Sequence, residues 1–391
     1  MRLPQLYRNF FSGGKIAWGD LMFFVDRMVI KHFEFGILGG VILVVALGLI
    51  NLYGASLFPR PEGLASPFFR QFIWFLISAF FVLLVLAINY HTLVYYAHYF
   101  HLFSLSLLCL VIFIGKISSG AQRWIEFGPL SFQPSELAKV TLLLSVAKTF
   151  SGGLGERESR HSILKPLFIL IPTVTLVLIQ PDLGTSIVLL LLFFSVLFFV
   201  NVPLRRLMLL PIALILLSPL LWFGLKDYQK DRILTFINPG KDSLSTGYHV
   251  NQSKIAIGSG RVWGKGFGGG TQGRMRFLPE QHTDFAFSSW SEQFGFFGSV
   301  FLVGLYFFII SRCLRLAFRA KDSEGFCLAM GVCALIFWQT IINTGMTLGV
   351  LPVVGTALPF FSYGGSSLLA CMISMGLVLN VSIKRFVKNV F

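Results

Sequence analysis

The feature that most constrains this chain is its string of apolar runs, most of them about 20 residues long and nearly free of charge. At 1.5 Å rise per residue, about 20 helical residues cross the roughly 30 Å hydrocarbon core of a bilayer. In lipid every backbone N–H and C=O needs an internal partner, and a continuous run of this length meets that need as a helix. Ten such runs are expected, at about 35–57, 69–89, 92–115, 134–150, 163–180, 181–201, 205–225, 290–312, 325–349 and 359–383. The expected fold class is therefore all-α, a polytopic integral membrane protein with about ten transmembrane helices. One large extracytoplasmic loop, about 226–289, separates the seventh run from the eighth.

Composition agrees with this. Hydrophobic residues make up 55% of the 391 positions and charged ones 13%, against about 25% charged in soluble domains. The net charge of +15 does not imply a nucleic-acid partner, because the basic residues lie between the apolar runs, where they set orientation. A cytoplasmic N-terminus places Arg2, Arg8, Lys148, Arg205, Arg206, Arg312, Arg315, Lys384 and Arg385 on one side. Only Arg60, Arg70, Lys116 and Arg123 fall in the short loops opposite. Both termini are then cytoplasmic and the long loop faces outward. Residues 1–34 form a cytoplasmic segment in which 20–33 suits an interfacial amphipathic helix, and 35–391 form one membrane domain. The five cysteines make no CxxC pair and read as packing residues. No cleaved signal peptide is expected.

Polar residues at the mouths of membrane helices are costly and call for an explanation. Three groups stand at the expected outer face. The first is Arg123-Trp124 followed by Gln133-Pro134-Ser135-Glu136 and Lys139. Pro134 suits a first helical position, Glu136 complements the helix dipole, and Lys139 lies on the same face. The second is Gln180-Pro181-Asp182, with Asp182 as a capping acid or a functional one. The third is the long loop, with nine basic and five acidic residues: Lys265, Gln272, Arg274, then Glu280, His282, Thr283 and Asp284, with Glu292 just beyond. Its Gly264–Gly269 stretch matches GxGxxG but lacks the strand–helix context of a dinucleotide site, so its glycines read as turns and close approaches. A basic, glycine-rich outer loop suits a phosphate-bearing amphiphile. Asp284, between His282 and Phe285, is placed to act as a general base.

These stretches together resemble the SEDS family of bacteria (shape, elongation, division and sporulation proteins). The resemblance rests on GAQRWIEFGPLSFQPSELAK, QPDLGTS, GYHVNQSKIAIGSGRVWGKG, GTQGRMRFLPEQHTDFAF and NTGMTLGVLPVVGTALPFFSYGGSS, and covers about 27–388. The GTQ-x-R and FLPE-x-HTDF segments are more similar to the rod-shape branch than to the division branch. The chain departs from the family pattern at Ser288-Ser289-Trp290-Ser291, where small aliphatic residues are usual, at Gln293, which replaces the second acid of a pair begun by Glu292, and at Arg261, where glycine is commoner.

The resemblance implies a peptidoglycan glycosyltransferase that polymerises lipid II at the outer face of the cytoplasmic (inner) membrane, for cell elongation and rod shape. It implies a class B penicillin-binding protein as partner, within the elongation machinery, and an essential aspartate that maps to Asp284. Expected substrate-binding residues are Arg123, Trp124, Glu136, Lys139, Asp182, Lys265, Gln272, Arg274, His282, Thr283, Glu292 and Ser362. A divalent cation (Mg or Mn) held by Asp284 and Glu292 is a further expectation, and no organic cofactor is expected. Gly345, Gly349 and the Pro359–Ser366 stretch read mainly as helix packing. Two other readings compete: a flippase for lipid-linked precursors, and a non-catalytic activator of a penicillin-binding protein. A carrier places its site near the midplane between related halves, and neither halves nor such a site is visible here.

Overall fold

The computed structural model describes residues 33–55, 66–118, 121–127, 130–151, 163–209, 246–270 and 280–384, with isolated positions between 211 and 230. Almost all of the expected amphipathic segment at 20–33 lies outside the described residues, as do Gln272 and Arg274.

In chain order the described elements begin with helices α1 (Phe35–Ala55), α2 (Pro67–Ala87), α3 (Tyr90–Tyr95) and α4 (Ala97–Ile114). Strands β1 (Lys116–Ser118), β2 (Ala121–Phe127) and β3 (Leu130–Phe132) follow. Next come α5 (Pro134–Thr149), α6 (Leu164–Ile179), α7 (Leu183–Phe199) and α8 (Leu204–Leu207). The chain ends with α9 (Thr246–Ser259), α10 (Ala286–Phe318), α11 (Ser323–Thr347) and α12 (Gly365–Lys384). Among the described residues, α1, α2, α4, α10, α11 and α12 are long and apolar enough to cross a bilayer. The fourth to sixth expected runs appear as the shorter helices α5, α6 and α7, of 16, 16 and 17 residues. The seventh is described only through α8 and scattered helical positions.

The chain is predominantly helical, but the structure departs from the all-α expectation in one place. β1, β2 and β3 form a small antiparallel sheet in that order, with Lys116 opposite Trp124 and Ile125 opposite Phe132. Strand pairing satisfies the backbone of a connection that packs against helix ends, where intrahelical partners are unavailable. The strands are too short for alternation to reveal them. Three helix boundaries also moved. The third run divides at Tyr96 into α3 and α4. α10 starts at Ala286 rather than near 290 and carries a break at Gly295 (φ 66°, ψ −158°). α12 starts at Gly365 rather than near 359, after a non-helical segment.

Side-chain caps set several helix starts. The Ser66 hydroxyl accepts from the Phe69 amide with Pro67 at the first helical position. Asp182 caps α7 through the Thr185 amide, and Asp322 caps α11 through the Gly325 amide. Each such cap contributes about 1 kcal/mol.

α5 lies at the centre, with Ala138, Leu142, Leu143, Val146 and Ala147 fully buried. Association in lipid depends on close packing rather than on hydrophobic transfer. A Cβ on Gly331 of α11 would meet the Leu143 side chain at 2.0 Å, and one on Gly365 would meet the Trp74 indole at 2.1 Å. The large apolar side chains left exposed, such as Leu83 on α2, Phe113 on α4 and Phe307 on α10, mark faces suited to lipid.

Candidate active site at the loop-bearing end

The polar side chains converge at one end of the bundle, where α5, α7, α10 and α12 begin and α11 ends. Asp182 is its most connected group. Only 2% exposed, its carboxylate accepts from the Thr185 amide (3.1 Å), the Thr185 hydroxyl (2.9 Å) and Gln133 Nε2 (3.0 Å). Arg123, from β2, reaches the Asp182 carboxylate at 3.7 Å. It also donates to the carbonyls of Gln180 and Pro181, so it fastens the sheet to the turn before α7. Gln133 carries the network onward, since its amide donates to the Ser366 hydroxyl of α12 (2.9 Å). Trp124 is half-buried on the same strand as Arg123.

Glu136 and Lys139 pair within α5, Nζ to Oε2 2.6 Å, with side chains 10% and 3% exposed. Spacing i, i+3 on one helical face brings the two heads together.

A second ion pair joins the long loop to α10. Lys265 Nζ lies 2.6 Å from Glu292 Oε1, and Glu292 is 1% exposed. Backbone bonds reinforce it: the amides of Lys265 and Gly266 donate to the carbonyls of Glu292 and Gln293. The glycines behave as the spacing implied. Gly264, Gly266 and Gly268 all have positive φ, and a Cβ on Gly264 would sit 2.1 Å from the Gln293 carbonyl oxygen. Gln293, at the position of the missing second acid, accepts from the Gly268 amide (3.0 Å) and donates to Asn51 (3.0 Å). An amide serves there because the position must both accept and donate.

The segment bearing Asp284 is held mainly through its backbone. The Tyr363 amide donates to the His282 carbonyl (2.8 Å), and Asn343 Nδ2 donates to the Asp284 carbonyl (3.0 Å). Asp284 itself is partly exposed. The Thr283 hydroxyl donates to the Glu280 carboxylate (3.0 Å). Burial holds the His282 imidazole below its ordinary pKa, against the opposing pull of Glu280.

Ser362 is bonded within the chain on both sides. Its hydroxyl accepts from the Leu358 amide (3.0 Å), and its carbonyl accepts from Gln71 (3.2 Å). Of the two carboxylates expected to hold a divalent cation, Asp284 is partly exposed and Glu292 is buried. Among the described residues, the grouping with ligand-like spacing is His91, Asp322 and Glu324. It lies at the opposite end of the bundle, and Glu292 is already paired with Lys265.

Sequence reasoning left out Asn51 and Gln71 and gave no site role to Gln133, Gln293 or Asn343, the amides that tie these pieces together. The signal was present, because Asn51, Gln71 and Asn343 interrupt apolar runs where polar groups are expensive.

A family model described as "cell cycle protein" and named for FtsW, RodA and SpoVE matches residues 36–386. The chain is 41% identical over 294 residues to the peptidoglycan glycosyltransferase MrdB of Escherichia coli K12, covering 74% of this chain and 78% of that protein. It is similar to the rod shape determining protein RodA of Thermus thermophilus, solved as an aspartate-to-alanine variant. The TM-score is 0.69 at 32% identity, covering 91% of this chain and 99% of the other. A solved chain from work on the structural coordination of polymerization and crosslinking by a peptidoglycan synthase complex gives a TM-score of 0.76. It is 35% identical, with 91% and 99% covered.

Proposed function

Because this chain belongs to the FtsW, RodA and SpoVE family of cell cycle proteins, we propose that it is a peptidoglycan glycosyltransferase of the rod-shape branch. The observation that carries this reading is the 41% identity to MrdB across most of both chains. The convergence of the polar network beside Asp284 at one end of the bundle supports it. Lipid II is the substrate, and the loop-bearing end faces the extracytoplasmic side of the inner membrane, with both termini in the cytoplasm. A class B penicillin-binding protein is the partner, in keeping with the peptidoglycan synthase complex among the structural relatives.

Asp284 is the general base. Transfer of the donor sugar to the acceptor 4-hydroxyl requires that hydroxyl to lose a proton as its oxygen attacks the donor C1. A partly exposed carboxylate on a backbone fixed from two sides can receive that proton, an effect of about 10²–10⁴-fold. The bond from C1 to the polyprenyl pyrophosphate breaks as the glycosidic bond forms, and the leaving pyrophosphate gains negative charge. Cations set in place beforehand stabilise it. Lys265, Lys139 and Arg123 stand in the same polar layer, each beside a carboxylate. One displacement converts the α-linked donor to a β-linked glycan.

The test is polymerisation of labelled lipid II by the purified chain, with and without its class B partner, beside Asp284→Asn. A glycan ladder from the wild type and none from Asp284→Asn is expected. A wild type that forms no ladder in the partner's presence, yet moves lipid II across a vesicle membrane, would overturn the polymerase reading in favour of a transporter.

A further inference from the structure

We infer that Asn343 of α11 is a positioning residue for the proposed general base, acting through the backbone of the His282–Asp284 segment. This rests on the reading of Asp284 given above and adds a residue that reading does not contain.

Asn343 lies four residues before the end of α11 and is fully buried. Its Nδ2 carries two hydrogens, and both are used. One goes to the Asp284 carbonyl at 3.0 Å and the other to the Thr356 carbonyl at 2.7 Å. Asn343 therefore joins three separate pieces of chain: α11, the residues just before α10, and the non-helical segment before α12. Neither carbonyl belongs to a regular element. A buried amide carbonyl without a donor is costly, which makes a two-hydrogen donor the economical choice at this point.

The clamp has a second half. The Tyr363 amide, on the same non-helical segment as Thr356, donates to the His282 carbonyl at 2.8 Å. The Asp284 backbone is thus gripped by a side chain at its own carbonyl and by a main-chain amide two residues earlier. A carboxylate on a short side chain points where its backbone points. Holding the carbonyl fixes the Cα–Cβ direction, and so the arc that the carboxylate can reach.

The chemistry explains the choice of residue. Leucine keeps the branching at Cγ, with larger methyl groups, but carries no hydrogen to donate to either carbonyl. Aspartate would set a carboxylate against two carbonyl oxygens. Glutamine would displace the donor by one methylene, about 1.5 Å, which is enough misplacement to cost on the order of 10²-fold in rate. Asn343 Oδ1 is buried and has no hydrogen-bond partner among the described residues. The side chain is therefore retained for its donors, and its acceptor gains nothing in return.

The experiment compares Asn343→Leu and Asn343→His with wild type and Asp284→Asn in lipid II polymerisation, using the full chain with its class B partner. Backbone hydrogen exchange is measured alongside. Histidine returns one N–H at a reach similar to that of the asparagine donor. For Asn343→Leu the expected result is a fall in kcat of about 10–100-fold with KM within about twofold. Amide exchange quickens in the peptide spanning 280–288 and stays unchanged along the rest of α11. Asn343→His recovers part of the kcat.

Wild-type kcat in a folded Asn343→Leu overturns the inference. So does faster exchange spread over the whole of α11, which marks a helix-stability role. If Asn343→Leu does not fold, Asn343→Asp keeps the size and loses the donors, and the same expectations apply. The two readings fail separately. Full activity in Asp284→Asn removes the base assignment, whereas inactive Asp284→Asn beside fully active Asn343→Leu removes only the clamp.

Discussion

Replacing Asp182 is the sharpest test of what the polar layer does, because its carboxylate is both a helix cap and a junction. Asp182→Ala removes the acceptor of the Thr185 amide, a cap contribution of about 1 kcal/mol. It removes the acceptor of the Gln133 side chain and of the Thr185 hydroxyl, and a hydrogen bond to a charged group contributes about 1.5–3 kcal/mol. It also strips Arg123 of its nearest carboxylate, at 3.7 Å, although the Gln180 and Pro181 carbonyls still hold the guanidinium. Breaking a buried charged network on one side costs about 3–5 kcal/mol. In a chain of this size that corresponds to a fall in Tm of roughly 4–6 °C. Asp182→Asn keeps the cap acceptor but turns an N–H towards Gln133, so its loss is smaller, about 1–2 kcal/mol. The assay is thermal unfolding in one detergent, followed by tryptophan fluorescence, for each variant and for Gln133→Ala and the double variant. Asp182 and Gln133 share a hydrogen bond, so the double variant should be less destabilised than the sum of the singles, by about 0.5–3 kcal/mol. An Asp182→Ala variant with wild-type Tm and no polymerase activity would refute the argument and place Asp182 on the substrate.

Two further outcomes are expected. Lys139→Met leaves the Glu136 carboxylate buried without its cation and costs about 3–5 kcal/mol, while Lys139→Met with Glu136→Gln restores much of that loss. Melting curves of the single and double variants check this, and a double variant no more stable than the single one contradicts it. His282 contributes a pH dependence. Burial lowers its folded pKa below the ordinary 6.5, so the unfolded chain takes up the proton first as pH falls. Its contribution to stability is then complete above about 6.5 and is lost below that value. The comparison is Tm at pH 7.5 and pH 5.5 for wild type and His282→Gln. The variant should show the smaller drop, and equal drops would count against the buried imidazole.

The membrane class of this protein was legible in its sequence because it depends on a one-dimensional quantity. A run of about 20 apolar residues meets its backbone's needs in lipid as a helix, and α1, α2 and α11 lie close to where composition placed them. Local chemistry was legible for the same reason. Asp182 as a cap, Pro134 opening α5, the Glu136–Lys139 pair and the glycines facing the α10 break all follow from spacings of a few residues. The small sheet was hidden because its pairing depends on where the ends of α4 and α5 stand in space. The break at Gly295 was hidden too. Its need arises from Gly264, whose amide would lie 2.3 Å from a Cβ at Gly295, some thirty residues away along the chain.

The site divides along the same line. The residue types capable of the chemistry, Asp284 with Lys265, Lys139 and Arg123, stood out as charges beside apolar runs. Their partners did not. That Arg123 fastens to the turn before α7, that Glu292 is taken by Lys265, and that Asn343 holds the Asp284 carbonyl are matters of which side chains meet across helices. Sequence by itself determined which segments enter lipid and which groups can carry charge, because transfer and propensity act residue by residue. Tertiary structure alone decided which of those groups are free to act and which are held in place, because a hydrogen bond or ion pair needs two groups brought within about 3 Å.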